Sequence, residues 1–307
     1  MHSPFEKGGE GIRSCSCSSR HHTHRDPRHA LHPLTSVADL TAAVLRGDYG
    51  PDPESLHAVG AFWVRQSTQF PGTDTKYRNY YLVLRVESGF GGCCVERDQL
   101  DSVIAEELSG SSVAQLLRDE RTPVRIAALD AYLSLTRPHR EAAQAQVFML
   151  PHGTPLQRAK ARDQAIAGLL DIAPGMRVGL IGVVNPLVDA IRARGGICLP
   201  CDFNMQRTAD GTEVARDMAP VLAQADLVIA TGMTLSNGSF DEILAAVRLR
   251  DIPLIVYAQT GSAIVPQFLG HGVAAVSAEP FPFSQFSADP TPIHLYRDAG
   301  ADARAAA

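Results

Sequence analysis

The segment Arg177 to Asp202, RVGLIGVVNPLVDAIRARGGICLPCD, constrains the fold more than any other part of the chain. An apolar run, Val178 to Val184, is broken only by Gly179 and Gly182. Asn185 and Pro186 lead into a helical pattern over Leu187–Ala193, which Gly195 and Gly196 stop. A second apolar run, Ile197–Leu199, ends near Asp202. Strand, glycine turn, helix and strand in that order open a parallel βαβ unit. The handed crossover puts the Gly182–Pro186 turn at the C-terminal end of the first strand, where helix N–H groups face a crevice. The glycines read G-x-x-G and not the full G-x-G-x-x-G. The turn therefore has two readings: a seat for an anion or nucleotide, or a tight turn that serves packing alone.

The pattern repeats downstream. Leu227–Ala230, Pro253–Tyr257 and Val273–Ser277 are short apolar runs typical of central parallel strands. Helical patterns lie between or before them, at Gln157–Leu170, Thr212–Ala223 and Phe240–Leu249. Ser239 and Glu242 are spaced as a capping box for the last of these. Ala263–Leu269 reads as a short helix and Ile293–Tyr296 as an edge strand. Fold class is thus α/β, with a C-terminal Rossmann-like parallel sheet.

The first half reads as α+β. Ser36 or Asp39 caps a helix at Leu40–Leu45. His57–Gln66 and Tyr77–Ser88 are strands, the second rich in β-branched and aromatic residues. Gly89, Gly91 and Gly92 precede a further short strand at Cys93–Val95, giving a sheet of two or three antiparallel strands. Adjacent Cys93 and Cys94 point to opposite faces. Helices follow at Val113–Arg118 and from Asp119 or Thr122 to Leu135. The second carries the stripe Val124, Ala127, Ala128, Ala131 and Leu135, whose small side chains permit close approach. Residues 138–156 read as a Pro/Gly connector, which places domains at 37–150 and 151–307. Residues 1–36 read as a disordered tail containing Cys15, Cys17, His21, His22, His24, His29 and His32. Those are ligands for zinc, nickel or copper, at a spacing that matches no structural zinc site.

Composition excludes some functions. A formal net charge of −5 gives no bulk attraction to nucleic acid or anionic membrane. No run of about 18 apolar residues is present to span a bilayer. The N-terminal residues show no signal-peptide core, and six Cys in 307 residues do not resemble a secreted disulfide scaffold. Cytoplasm is the expected compartment. A homodimer is the expected assembly, being the commonest.

In an open parallel sheet the loops after the strands share one edge. Here those loops carry Gly182 and Asn185; Asp202; Thr231, Gly232 and Asn237; and Thr260 and Ser262. Small hydroxyls, amides and backbone N–H groups converging there suit a small polar or anionic molecule. Asp202 follows Gly182 by about the distance at which dinucleotide folds place a ribose-binding acid. Cys198 and Cys201 form a C-x-x-C and are the candidate metal or redox pair, although the second pair of a four-cysteine zinc site is absent. No G-x-S-x-G, H-E-x-x-H or P-loop occurs, and catalytic residues are not assigned.

The motifs RVGLIGVVNPLV and ADLVIATGMTLSNGSFDEIL (Ala225–Leu244) resemble the putative heavy-metal chelation domain family, DUF364. LSGSSVAQLLRDERTPVRIAALDAYLS (Leu108–Ser134) resembles its companion domain, DUF4213. The resemblance implies an enolase-N-terminal-like α+β domain joined to a Rossmann-like domain, with the ligand site between them. It also implies a divalent metal or metal complex as the cofactor class. The chain departs from the family at Gln259–Ser262, where G-P-S is usual, and at Asp130, where Asn is frequent. Two functions are compatible with these features. One is a small-molecule or metal-complex binding protein linked to metal handling. The other is an enzyme acting on a small polar metabolite, in metallophore-like biosynthesis, at the same crevice.

Overall fold

The Ser36 side chain accepts a hydrogen bond from the Asp39 N–H and caps the first helix, α1 (Val37–Leu45). The computed structural model describes residues 34–69, 71–72, 76–169 and 171–298. The Cys15–His32 cluster of the expected tail lies outside the described residues. Three antiparallel strands follow in the order β1 (Ala58–Gln69), β2 (Lys76–Val86), β3 (Gly89–Val95). After two short helices, α2 (Ile104–Leu108) and α3 (Val113–Leu117), α4 (Thr122–Thr136) lies across this sheet.

Contact between α4 and β3 explains why the strand begins at Gly89 and not, as the sequence suggests, at Cys93. A Cβ placed on Gly91 would lie 1.9 Å from the Ala131 nitrogen and 2.4 Å from the Ala127 oxygen. One placed on Gly89 would lie 2.7 Å from the Ala131 oxygen. The alanine stripe and the glycines are two halves of one backbone-to-backbone contact. Cys93 faces the core shared with α4, and Cys94 the opposite cluster with Tyr81 and Phe283.

The second sheet has seven strands in the order β4-β10-β9-β8-β7-β5-β6. They are β4 (Gln146–Leu150), β5 (Arg177–Ile181), β6 (Ile197–Cys201), β7 (Leu227–Thr231), β8 (Leu254–Ala258), β9 (Ala275–Ala278) and β10 (Thr291–Arg297). Strands β5 to β9 are parallel; β10 and β4 run antiparallel to them. Helices α5 (Pro155–Ala167) and α6 (Asn185–Ala193) cover one face, with Ile166, Leu187 and Ile191 against Leu180, Ile229 and Ile255. Helices α7 (Met218–Gln224) and α9 (Phe240–Arg250) contribute Val221, Phe240 and Leu244 on the other face. There Val228, Val256 and Tyr296 share a core with Leu82 and Leu129 of the N-terminal half. A one-turn helix, α8 (Met233–Ser236), precedes α9. The result is a mixed α/β fold with an N-terminal antiparallel sheet. No helix among the described residues is long and apolar enough to cross a membrane.

Four local expectations change. The connector at 138–156 contains β4, which makes β10 an interior strand instead of an edge. The helix expected from Thr212 starts at Met218, capped by Asp217, because Ala215 instead bridges to Cys201 beside β6. The Ser239–Glu242 capping box does not form; the Ser239 hydroxyl donates to Asn237 Oδ1 at 2.7 Å. Ala263–Leu269 holds only a short 3-10 turn, Val265–Phe268, which Pro266 opens.

Candidate functional site

The parallel strands carry the loops after β5, β6, β7, β8 and β9 to one edge. The first three lock together. Gly182 adopts φ +85°, and a Cβ there would lie 2.3 Å from Thr231 Cγ2. Its N–H donates to the Cys201 carbonyl at 2.9 Å, and its carbonyl accepts from the Tyr257 hydroxyl at 2.8 Å. Asp202 accepts from the N–H groups of Val183 (2.9 Å), Asn204 (2.7 Å) and Met205 (3.1 Å), and so fixes the first two loops relative to each other. Gly232 is where the third and fourth loops touch: a Cβ there would lie 2.4 Å from the Thr260 oxygen. Gly182→Ala is therefore expected to destabilise the fold by about 1–3 kcal/mol through strain at positive φ, measured as a lower denaturant midpoint without any ligand.

Asn185, at the start of α6, spans the two halves of the protein. Its Nδ2 donates to the Tyr77 hydroxyl of β2 at 3.2 Å, and its Oδ1 accepts from the Ala209 N–H at 2.8 Å. Asn237 is exposed at the end of α8, with Oδ1 accepting from the Ser239 N–H at 3.1 Å. Thr260 and Ser262 are buried. The N–H groups of their loop converge on a carboxylate of the protein itself. Asp130, in the middle of α4, accepts from Ala263 N–H through Oδ1 and from Gly92 N–H through Oδ2, each at 2.8 Å. The N–H groups of Gly261 and Ile264 also bear on it. Burial pushes the Asp130 carboxyl up to about 7, against the pull of those N–H donors. The loop thus holds an internal carboxyl group in the place where a parallel-sheet fold often holds a ligand's acidic group.

Sequence reasoning missed a second polar set at the same edge. Helix α5 turns two arginines inward, and they differ in what meets them. Arg158 is buried and its guanidinium donates to the carbonyls of Pro151 (2.6 Å), Asp289 (2.7 Å) and Ser284 (3.3 Å) and to the Thr291 hydroxyl (2.6 Å). It is a structural cross-brace. Arg162 donates through Nε to Asp163 Oδ1 at 3.0 Å, and its Nη1 stands 4.0 Å from Glu279 Oε2, just past the end of β9. Among the described residues its terminal nitrogens have no hydrogen-bond partner. The Arg162 side chain keeps 21 % exposure, whereas Asp163 keeps 1 % and Glu279 4 %. Glu279 accepts from the Ser284 N–H and, at 2.9 Å, from Gln259 Nε2. Gln259 also donates to Gln285 at 2.7 Å, which reaches Gln66 of β1 at 3.2 Å. The set therefore runs from α5 across the sheet edge to the N-terminal sheet. Asp163 Oδ2 is buried with no partner among the described residues, and burial raises the Asp163 carboxyl, partly offset by Arg162. The signal in the sequence was an Arg–Asp pair on the inner face of an otherwise ordinary amphipathic helix.

Among the described residues the donor sets do not fit a resident metal ion. Cys198 packs with the α5–α6 face and Cys201 with the opposite face, so the two thiols cannot close on one ion. Burial pushes both up to about 11. His139 and His294 stack with ring centroids 4.9 Å apart and planes at 19°. The in-plane lone pairs of nearly parallel rings do not converge. His139 Nδ1 pairs with the Tyr296 hydroxyl at 2.6 Å, and burial lowers His139 to about 3. Among the described residues no group of three or more His, Cys, Asp or Glu side chains is placed to hold an ion.

A family model described as "Putative heavy-metal chelation" (DUF364) matches residues 164–278. No curated protein matches the chain. A DUF364-family protein of unknown function from Desulfitobacterium hafniense DCB-2 has a similar solved structure, at 14 % identity and TM-score 0.55, over 84 % of this chain and 97 % of that one. Another, from Pyrococcus horikoshii, matches at 14 % identity and TM-score 0.43, over 72 % of this chain and 81 % of that one. Over residues 164–278, from the last turn of α5 to the end of β9, the chain is similar to DUF364, and its fold is like that of a solved member of that family.

Proposed function

We propose that this protein binds a small polar molecule bearing an anionic group, in the crevice between the C-terminal edge of the parallel sheet and the N-terminal sheet, as part of metal handling. Arg162 is the observation that carries the reading. A guanidinium offers paired donors matched to a carboxylate or phosphate, and here it stands at that edge with its terminal nitrogens making no hydrogen bond among the described residues, Nη1 lying 4.0 Å from Glu279. Gly182, Asp202, Thr231 and Gly232 set the shape of the crevice. Asn185 lines one side, the loop of the buried Thr260 and Ser262 backs the other, and Asn237 is the outermost ligand residue. The likeness of residues 108–134 to DUF4213 fits a site shared by two domains. Because the donors of the described residues do not fit a bare ion, a metal arrives as a complex whose donors the small molecule supplies. A cytoplasmic homodimer, with no nucleic-acid or membrane partner, goes with this reading.

The test is native mass spectrometry of the intact protein as purified, beside Arg162→Met, which keeps the apolar stem and removes the charge. Losing a charge-assisted hydrogen bond of about 1.5–3 kcal/mol predicts occupancy falling at least tenfold. A wild type that carries no small molecule, or a variant that keeps it at equal occupancy, overturns the assignment.

A further inference from the structure

We infer that the ligand at Arg162 is a zwitterion, its carboxylate meeting the Arg162 terminal nitrogens and its ammonium meeting Asp163 and Glu279. This rests on the crevice being the small-molecule site proposed above. Charge balance supplies the argument. Two buried carboxylates, Asp163 and Glu279, share the Arg162 guanidinium, at 3.0 and 4.0 Å. A purely anionic ligand would add a further negative charge to that set. Glu279 is supplied with neutral donors on both oxygens, from Ser284 and Gln259. Asp163 is not: Arg162 Nε reaches Oδ1, and Oδ2 is buried with no donor among the described residues.

An unpaired buried carboxylate oxygen is costly, on the order of 1–3 kcal/mol or more. A proton, a metal ion or an ammonium would each relieve it. A proton neutralises the charge but adds an O–H that itself needs an acceptor. A metal ion needs a third ligand, and no such group of side chains exists among the described residues. An ammonium brings both the charge and the hydrogen-bond donor. Attached to the same small molecule as the carboxylate held by Arg162, it satisfies both ends of the Arg162–Asp163 pair. The chemical class is therefore a small molecule with amine and carboxylate groups on neighbouring carbons, in the manner of an α-amino acid.

The experiment is titration calorimetry of the full-length protein with matched pairs that differ only in the amine: alanine and propionate, aspartate and succinate, glutamate and glutarate. At least one amino acid is expected to bind tenfold or more tighter than its deaminated twin. In Asp163→Asn, which keeps shape and removes the charge, that ratio is expected to fall below threefold. If both members of every pair bind equally, the zwitterion is wrong and the anion site at Arg162 stands. If neither member of any pair binds, both readings fail. Zinc or magnesium alone binding with loss in Asp163→Asn would also overturn the inference, since it would make the missing cation a metal. Should Asp163→Asn fail to fold, the wild-type ratios decide the matter.

Discussion

Gly91→Val is expected to lower the stability of the protein by about 3 kcal/mol or more, the upper end of overpacking costs. That corresponds to a melting midpoint lower by about 6 °C or more. The reason is the identity of the obstructing atoms. A Cβ at Gly91 would meet main-chain atoms of α4, at 1.9 Å from the Ala131 nitrogen and 2.4 Å from the Ala127 oxygen. A flexible side chain could turn away; a helix backbone cannot, so α4 must lift from the sheet. The next residue is the control. A Cβ at Gly92 would lie 3.4 Å from the Phe283 ring and 3.6 Å from Thr260 Cγ2, which is ordinary contact. Gly92→Ala is expected to cost less than about 1 kcal/mol. Equal midpoints for the two variants would mean that α4 is not seated on β3.

The second large effect is at Asp130. Asp130→Ala leaves the buried N–H groups of Gly92 and Ala263 without acceptors, at about 1–3 kcal/mol each. Asp130→Asn keeps one acceptor but turns an NH2 group toward the other N–H, and falls between Ala and wild type. The pH dependence distinguishes this group from its neighbours. A carboxyl raised to about 7 in the fold from 3.8 binds more protons in the native state than in the unfolded one across that interval. Stability from Asp130 is therefore fully present below about pH 4 and is lost as pH rises through about 7. His139, held down to about 3 by burial, acts in the opposite direction, favouring the fold as pH rises through the ordinary histidine range. The difference between wild type and Asp130→Asn, measured by urea unfolding from pH 4 to 8, isolates the carboxyl. The destabilisation caused by Asn is expected to shrink as pH rises; a constant difference would contradict the assignment.

These two contacts also show what could be read from sequence. The parallel strands were legible because each is a short apolar run ended by a loop of small polar residues, and burial on both faces leaves little else. The Ala127–Ala131 stripe was legible as a close-approach face. Its partner was not: glycines are turn formers by default, and only the opposing helix makes Gly89–Gly92 a strand. β4 was hidden for a similar reason. Five residues next to Pro151 give no period of their own, and pairing with β10 is a long-range event. Among candidate site residues, the loops around Gly182, Asp202, Thr231 and Gly232 do meet, as parallel topology requires. What sequence could not show is how their polar groups are engaged. Asp202 holds two loops together, and Asp130 fills the N–H groups of the Thr260–Ser262 loop from a helix more than a hundred residues earlier. Arg162 lies within the helical pattern of Gln157–Leu170 and Glu279 just past the last apolar run, and distance in sequence concealed their pairing.

The most direct test is a crystal structure of the protein as purified, refined without added ligand in the crevice. The account predicts density for a small molecule between the two sheets, with an acidic group within hydrogen-bonding distance of the Arg162 terminal nitrogens. Density bound elsewhere, or Arg162 Nη1 and Nη2 both closed onto protein acceptors with the crevice filled by side chains, would contradict it.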